Sequence, residues 1–188
     1  MSKSYKILWI ALSVYLFDQI SKWVIKESMQ LHESIPVLGD FFRLTYVENP
    51  GMAFGIQISD NVFFTVFAII ASIVILLYLF KLRMEETWAR VAMSVILGGA
   101  IGNLTDRILR GQVVDFFDFE FFDITIPAFN ILSLHFSGYS LQRWPIFNVA
   151  DIAVSVGMVM LLIYILFLEG KNAQLAAVEQ AESSEMIH

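Results

Sequence analysis

The stretch VFFTVFAIIASIVILLYLF, residues 62–80, decides the fold class because it carries no charged side chain over its whole length. A helix rises about 1.5 Å per residue, so a stretch of this length can cross a hydrocarbon core about 30 Å thick. The chain of 188 residues is 57% hydrophobic and 16% charged, with a mean hydropathy of +0.68. A soluble domain of this size has too little interior for so much apolar sequence. The composition therefore predicts an integral membrane protein.

Three more segments are long and apolar enough to be spans, and they cover residues 7–25, 91–109 and 146–168. The first follows Lys3 and Lys6, as in a signal peptide, but no small-x-small cleavage site follows it, so we expect a retained span. The sequence thus predicts a mainly α membrane protein with four transmembrane helices. We expect a single membrane domain over residues 1–170 and a polar cytoplasmic tail over residues 171–188.

The distribution of lysine and arginine predicts the orientation of these spans, since basic residues concentrate on the cytoplasmic side. One side carries Lys3, Lys6, Lys81, Arg83, Arg90 and Lys171 close to the span ends. The other side carries Lys26, Arg43, Arg110 and Arg143, spread over longer loops. Both termini are therefore expected in the cytoplasm, and the loops 26–61 and 110–145 outside.

The two outer loops contain aromatic and apolar residues that alternate with polar ones. Phe42, Leu44 and Tyr46 alternate with Arg43 and Thr45, and Phe117, Phe119 and Phe121 alternate with Asp118 and Glu120. A period of two with aromatic side chains is typical of β-strands. The outer loops are therefore predicted to form a small extracytoplasmic β-sheet.

Asp18 and Lys22 lie four residues apart in the first span, and so on one face of the helix. Two interpretations stay open. The pair could neutralise itself near the outer end of the span, with Lys22 extending its ammonium group to the membrane surface. Alternatively, the pair could form a polar wall of an internal site.

The third span brings Gly99, Asn103, Asp106 and Arg107 onto one broad face. Its Gly98-x-x-x-Gly102 spacing usually marks close helix packing rather than chemistry. A guanidinium group at this depth needs carboxylate partners because it is effectively always charged. Asp106 could simply neutralise Arg107.

Three further polar residues lie at the outer ends of the third and fourth spans. Asp115 follows the third span, and Asn148 and Asp151 lie three residues apart at the start of the fourth. An aspartate at the centre of a span costs roughly 2.5–3.5 kcal/mol, and less near the interface. Asn49-Pro50-Gly51 is a tight-turn sequence, but the Asn49 amide could also face the interior that these groups share.

Several kinds of chemistry are excluded by residue type. The chain has no cysteine and three histidines, none of them in a metalloprotease spacing, and no G-x-S-x-G motif. A net charge of -6 without a basic stripe argues against nucleic-acid binding. The carboxylates remain. Two facing aspartates can share one proton and activate water without a metal or another cofactor, and Asp115 and Asp151 are the natural pair.

Five motifs contain these polar residues, and they are Phe17-Asp18-Gln19-x-x-Lys22, Glu48-Asn49-Pro50-Gly51-Met52-Ala53-Phe54, Gly98-Gly99-Ala100-x-Gly102-Asn103-Leu104-x-Asp106-Arg107, Val113-Val114-Asp115-Phe116 and Phe147-Asn148-Val149-Ala150-Asp151. They resemble the motifs of bacterial lipoprotein signal peptidase, also called signal peptidase II, and they occur in that family's order. The resemblance implies an aspartic endopeptidase of the bacterial cytoplasmic membrane. Such an enzyme removes the signal peptide of a diacylglyceryl-modified prolipoprotein just before the lipidated cysteine.

The resemblance also implies which residues form the site. Asp115 and Asp151 match the family's catalytic pair. Residues expected to bind substrate or support the site are Asp18, Lys22, Asn49, Gly51, Gly99, Asn103, Arg107, Asn148 and Ala150. The resemblance further implies an active site near the outer face of the membrane, contact with membrane lipid and inhibition by the cyclic peptide globomycin. A monomer is expected.

The sequence departs from the family pattern in two places. The segment between Asp115 and Asn148 is longer than in compact family members, and we expect it to extend the outer sheet or form a flap. It contains Pro127-Ala128-Phe129-Asn130, which resembles the stretch before the last motif but lacks the aspartate that follows. Met52 replaces an expected alanine, which could reshape the substrate groove.

Two other classes of function remain possible from the residues themselves. A small proton-coupled transporter would also hold aspartate and arginine inside the membrane. The absence of an internal repeat in the sequence argues against it. A non-catalytic scaffold could use the same Asp–Arg network and glycine packing.

Overall fold

The computed structural model describes residues 3–50, 52–53, 56–57, 61–81, 87–121, 124–131, 134–141 and 143–168. Four long helices make up most of it: α1 Lys3–Ser28, α2 Asn61–Lys81, α3 Thr87–Arg110 and α4 Val149–Ile163. A short π-helical segment, Tyr164–Leu168, continues α4. Each predicted span thus coincides with a helix, and the tail over residues 171–188 lies outside the described residues.

Two helical stretches in the described part of the chain, Leu8–Ser28 and Val149–Phe167, are long and apolar enough to cross a bilayer. Within α2, the stretch Thr65–Leu79 is apolar but shorter. α3 carries arginine and aspartate within its length, which lowers its hydropathy. The mainly helical class is confirmed, whereas the count of four spans stays a prediction.

α3 packs against each of the other three helices. A Cβ atom on Gly98 would lie 2.6 Å from the carbonyl oxygen of Ala11 in α1. A Cβ atom on Gly99 would lie 2.5 Å from the carbonyl oxygen of Ala150 in α4. These glycines let the backbones approach more closely than any larger residue would allow, so α3 can bring polar groups of α1 and α4 together.

The outer surfaces of the helices remain apolar. Large exposed side chains include Phe17 at 64%, Trp23 at 59%, Phe67 at 65% and Phe167 at 68%. So many exposed large apolar side chains mark contact with a membrane or a partner. It fits a membrane-bound protein.

A three-stranded antiparallel sheet is built from β1 Ser34–Leu38, β2 Phe42–Asn49 and β5 Val113–Phe119, in the order β1-β2-β5. Between β2 and β5 in the chain, β3 Met52–Ala53 pairs with β4 Ile56–Gln57. The predicted small sheet is therefore confirmed. Its register pairs Val47 with Asp115 and Asn49 with Val113.

The sheet is fixed to the helices by a hydrophobic cluster at the end of α1. The cluster consists of the buried residues Ile25, Met29, Tyr46, Val114, Phe116 and Val149. Burying one such large apolar side chain stabilises the fold by roughly 1.5–3 kcal/mol. Val114 and Phe116 flank Asp115, so this packing holds the strand that carries the carboxylate.

The long segment before α4 forms two short ladders rather than a further strand of the main sheet. β6 Ile124–Ile126 pairs with β9 Tyr139–Leu141, and β7 Phe129–Ile131 pairs with β8 Leu134–Phe136. Asn130 lies in β7 opposite His135, whereas Asn148 caps α4.

α4 begins inside its predicted span, whereas α1 and α3 begin before theirs. The helix begins at Val149, three residues later than expected, because Phe147 forms an isolated β-bridge with Phe117. The N–H of Phe147 donates to the carbonyl of Phe117 at 3.1 Å. This bridge fixes the chain against β5 just before Asn148, and so determines where the helix N-terminus lies.

Candidate active site

A cavity of about 540 Å³ lies where α3, β5 and the N-terminus of α4 meet. Its polar lining consists of Asn49, Asn103, Arg107, Asp115, Asp151 and Ser155. Its apolar lining consists of Val113, Trp144, Pro145, Ile146, Phe147, Ile152 and Val156. The mixture of an apolar wall and a few convergent polar groups is typical of a ligand or active site.

Asp115 lies on β5, and only 3% of its surface is exposed. Its Oδ2 accepts a hydrogen bond from Asn49 Nδ2 at 3.0 Å, and its Oδ1 accepts one from Asn148 Nδ2 at 2.6 Å. Burial, and next the negative charge of Asp151, raise the pKa of Asp115 from 3.8 to about 7. This carboxyl group can therefore be protonated or ionised near neutral pH.

Asp151 occupies the third position of α4 and forms a capping box with Asn148. Its Oδ2 accepts from the Asn148 backbone N–H at 3.1 Å, and its own N–H donates to Asn148 Oδ1 at 3.0 Å. Its Oδ1 accepts from Asn103 Nδ2 at 2.8 Å. The positive end of the α4 dipole favours a negative charge at this position.

Asn148 connects the two aspartates. Its side-chain Nδ2 lies 2.6 Å from Asp115 Oδ1, 3.1 Å from Asn103 Oδ1 and 3.2 Å from the carbonyl oxygen of Val114. The side chain is completely buried. One asparagine thus contacts both carboxylates, through its side-chain amide and through the capping box.

Lys22 lies behind this pair and has no solvent exposure. Its ammonium group contacts Asp18 Oδ2 at 2.9 Å, Asp106 Oδ2 at 2.8 Å and Asn103 Oδ1 at 2.8 Å. Its three hydrogens therefore each have an acceptor. Of the two interpretations that the sequence left open, the structure excludes the one in which Lys22 extends to the surface.

Asp18 is held by α4 and by Gln19 as well as by Lys22. Its Oδ1 accepts from the Ala150 N–H at 2.9 Å, and its Oδ2 accepts from Gln19 at 3.1 Å. A Cβ atom on Gly102 would lie 2.4 Å from Asp18 Oδ2. Gly102 therefore provides the space for this carboxylate, a role that its packing motif alone did not predict.

Asp106 has more partners than the expected Arg107. Its oxygens bind the ammonium group of Lys22 and the guanidinium group of Arg110. Arg107 lines the cavity with Asp115 and Asp151, and the charges of Asp151, Asp115 and Asp106 all act on its guanidinium group. Successive helical residues point in directions about 100° apart, so a salt bridge at i,i+4 is favoured over one at i,i+1.

Most of the predicted site residues come together. Asn49, Asn103, Arg107, Asp115 and Asp151 line the cavity, with Asn148 between the two aspartates. Asp18 and Lys22 lie behind them, while Gly99 and Ala150 form the contact between α3 and α4. Gly51 lies outside the described residues.

Sequence reasoning missed part of the cavity wall. Ser155 lies four residues after Asp151, so helical spacing could have indicated it. The wall from Trp144 to Ile146 carries no such signal because its position depends on the bridge between Phe147 and Phe117.

Residues 10–167 match the family described as signal peptidase (SPase) II. A lipoprotein signal peptidase of Brevibacillus brevis is 40% identical over 163 residues, which cover 87% of this chain and 95% of the relative. A lipoprotein signal peptidase of Moorella thermoacetica is 36% identical over 167 residues, which cover 89% of this chain and 97% of the relative.

Solved structures agree with these relatives. A bacterial membrane enzyme determined by the in meso method at 1.9 Å resolution has a TM-score of 0.67 and 32% sequence identity. The similarity covers 87% of this chain and 94% of that enzyme. Because the matches extend over most of the sequence and most of the fold, the chain belongs to the signal peptidase II family.

Proposed function

We propose that this protein is a membrane aspartic endopeptidase that removes the signal peptide from diacylglyceryl-modified prolipoproteins, with cleavage just before the lipidated cysteine. The relatives named lipoprotein signal peptidase support the substrate class. The observation that carries the mechanism is the position of Asp115 and Asp151 on one cavity, connected through Asn148.

In the proposed mechanism the two carboxyl groups hold one proton between them. The ionised carboxylate takes a proton from water, and the resulting hydroxide attacks the carbonyl carbon before the scissile bond. The protonated carboxyl group donates its proton to the carbonyl oxygen. Collapse of the tetrahedral intermediate breaks the C–N bond, and the amine leaves with a proton from the pair. The pKa of about 7 at Asp115 supports a singly protonated pair near neutral pH.

Arg107 and Asn49 complete the proposed site. Arg107 lines the cavity beside both carboxylates and supplies a positive charge that can offset the charge of the developing oxyanion. Asn49 donates to Asp115 and so holds that carboxyl group in position. Both side chains form part of the wall against which a peptide would lie.

The membrane arrangement is part of the same proposal. We propose that all four helices cross the bacterial cytoplasmic membrane, with both termini in the cytoplasm and the cavity near the outer face. The cavity lies at the end of α3 next to the sheet of the outer loops, where water and a membrane-held peptide can meet. We further propose one membrane domain over residues 1–170, a cytoplasmic tail, contact with membrane lipid, a monomeric enzyme and inhibition by globomycin.

The test uses purified enzyme and a lipid-modified prolipoprotein. Asp115→Asn and Asp151→Asn are each expected to lower turnover by at least about 10³-fold, because each removes one member of the acid–base pair. Asp118→Asn is the matched control: it lies on the same strand and is 5% exposed, but it bonds to Thr45 and Arg143.

The control is expected to keep near-normal turnover. Near-normal cleavage by either Asp115→Asn or Asp151→Asn would contradict the two-aspartate mechanism. A chelator is expected to leave wild-type turnover unchanged, and loss of activity with chelator would point to a metal mechanism instead.

A further inference from the structure

Asp115 and Asp151 each accept an N–H donor on both carboxylate oxygens, so the number of hydrogen bonds does not decide which of them holds the shared proton. We infer that Lys22 acts through Asn103 as a positioning residue that makes Asp151 the ionised member of the pair, and that the proton resides on Asp115. This inference rests on the proposed two-aspartate mechanism and assigns the two roles within it.

Lys22 determines the orientation of the Asn103 amide. An ammonium group can only donate hydrogen bonds, so the Asn103 atom that lies 2.8 Å from Lys22 Nζ must be the carbonyl oxygen. The amide nitrogen then faces Asp151, and it donates to Asp151 Oδ1 at 2.8 Å. Rotating the amide by 180° would place its N–H groups against the ammonium group. Lys22 therefore fixes Asn103 as a donor to Asp151.

Lys22 also strengthens the hydrogen bond from Asn103 to Asp151. Lys22 is completely buried, and its contact with Asn103 polarises the amide group in a region of low dielectric constant. A polarised N–H group donates more strongly to a carboxylate than to a carboxylic acid. The short chain Lys22–Asn103–Asp151 therefore favours negative charge on Asp151.

The position of Asp151 in the fold also favours a negative charge. It lies in the first turn of α4, where the helix dipole favours an anion, and it is more exposed than Asp115. The charged groups around it are Arg107 from α3, Asp115 from β5 and, behind Asn103, Lys22 from α1. Its cationic neighbours and the helix terminus both favour its ionised form.

The surroundings of Asp115 tolerate a protonated carboxyl group. The Asn148 amide has two hydrogens but three acceptors within 3.2 Å, namely Asp115 Oδ1, Asn103 Oδ1 and the Val114 carbonyl. If Asp115 Oδ1 is protonated, both Asn148 hydrogens still have acceptors. Asp115 is also nearly buried, which favours a neutral carboxyl group. The raised pKa of Asp115 is in keeping with this assignment.

The roles in the reaction follow. Asp151 takes the proton from water, and Asp115 donates its proton to the carbonyl oxygen of the substrate. Activity is lost in acid when Asp151 is protonated, and in base when Asp115 loses its proton. The two limbs of the pH profile are therefore controlled by different hydrogen-bond donors, Asn103 for the acid limb and Asn49 for the basic limb.

The test compares the pH profiles of kcat/KM for Asn103→Ala and Asn49→Ala in the full-length enzyme. Asn103→Ala removes a donor from the ionised Asp151, so the acid limb is expected to move to higher pH by on the order of one unit. Asn49→Ala removes a donor from Asp115, so the basic limb is expected to move up while the acid limb stays in place.

A third variant tests Lys22 itself. Lys22→Met alone would leave two buried carboxylates, so it is combined with Asp18→Asn, while Asp106 keeps its bond to Arg110. The double variant is expected to move the acid limb in the same direction as Asn103→Ala. Lys26→Met is the matched control, since Lys26 lies one turn further along α1 and bonds to Glu48; its acid limb is expected to stay in place.

Two results would overturn the inference. If Asn103→Ala moves the basic limb and Asn49→Ala the acid limb, the proton resides on Asp151. If Asn103→Ala lowers kcat/KM equally at every pH, Asn103 has only a structural role. Failure of the proposed function itself would be recognised separately, because Asp115→Asn or Asp151→Asn would then still cleave.

Discussion

Two pairs of aspartates lie side by side in this protein, and their surroundings differ. Asp18 and Asp106 are completely buried and share the ammonium group of Lys22. Asp115 and Asp151 border a cavity, and their direct hydrogen-bond donors are asparagine amides and a backbone N–H. Asn103 connects the two pairs, since it accepts from Lys22 and donates to Asp151.

The difference separates a structural role from a chemical one. Asp18 and Asp106 are joined to a buried cation in one salt-bridge network, so removing any member leaves an uncompensated buried charge. A nearly buried carboxyl group such as Asp115, which has amide donors and lies beside another carboxylate, can take up a proton near neutral pH. The same residue type thus holds helices together in one pair and is available for acid–base chemistry in the other.

Lys22→Met is expected to have the largest effect on stability. It leaves Asp18 and Asp106 buried without their shared cation, which costs roughly 3–5 kcal/mol. Lys26→Met, in which a partly exposed salt bridge to Glu48 is lost, is expected to cost less than about 1 kcal/mol. Denaturant unfolding of both variants in detergent measures the difference. An equal loss of unfolding free energy in both variants would show that the buried salt bridges of Lys22 stabilise the fold no more than the partly exposed one of Lys26.

The free energy of unfolding is expected to depend on pH through Asp115. The pKa of Asp115 is raised from 3.8 to about 7 in the folded protein, so the folded state binds the proton more tightly than the unfolded state. The contribution of Asp115 to stability therefore falls as pH rises from about 4 to about 7, by a few kcal/mol at most.

Comparing the unfolding free energy of the wild type with that of Asp115→Asn at several pH values isolates this contribution. The difference between the two proteins is expected to shift in favour of the variant as pH rises over that range. A difference that stays constant with pH would mean that Asp115 titrates alike in the folded and unfolded states.

Gly102→Ala is expected to displace the Asp18 carboxylate. The added Cβ would lie 2.4 Å from Asp18 Oδ2, so Asp18 must move away from Lys22 and from the Ala150 N–H. Overpacking of this kind costs typically 1–3 kcal/mol. A lowered thermal midpoint in detergent checks the prediction, and an unchanged midpoint would contradict so close a contact between α1 and α3.

Asp115→Asn is expected to have the smallest effect on stability, although it should abolish turnover. The change removes a nearly buried carboxyl group and its repulsion with Asp151, which offsets the loss of one acceptor for Asn49 or Asn148, so stability should stay within about 1 kcal/mol of the wild type at neutral pH. The contrast is Asp18→Asn, which breaks a buried salt bridge and should destabilise clearly. Unfolding midpoints of the two variants under one condition test the contrast.

Several features followed from the sequence because they depend on local pattern. Long apolar runs predicted the helices, since hydrophobicity and length act along the chain. Alternation around Tyr46 and Phe117 predicted strands of the outer sheet because side chains alternate across a strand. Helical spacing placed Asp18 beside Lys22, and the motif match indicated Asp115 and Asp151 as a pair.

Other features could not be predicted because they join residues far apart in the chain. The amide of Asn103 on α3 receives its orientation from Lys22 on α1, and the start of α4 depends on the bridge between Phe147 and Phe117. The salt bridge between Asp106 and Lys22 was not predicted, because the position of Lys22 relative to α3 was unknown from the sequence.

The sequence by itself thus determined the apolar helices, the strands and the candidate aspartates, because periodicity and composition are properties of neighbouring residues. Only the tertiary structure decided which aspartates share the buried ammonium group of Lys22 and which accept hydrogen bonds from asparagine amides beside the cavity. The physical reason is that the charge state of a carboxyl group depends on burial and on charges within a few ångströms, and helix packing alone brings those groups together.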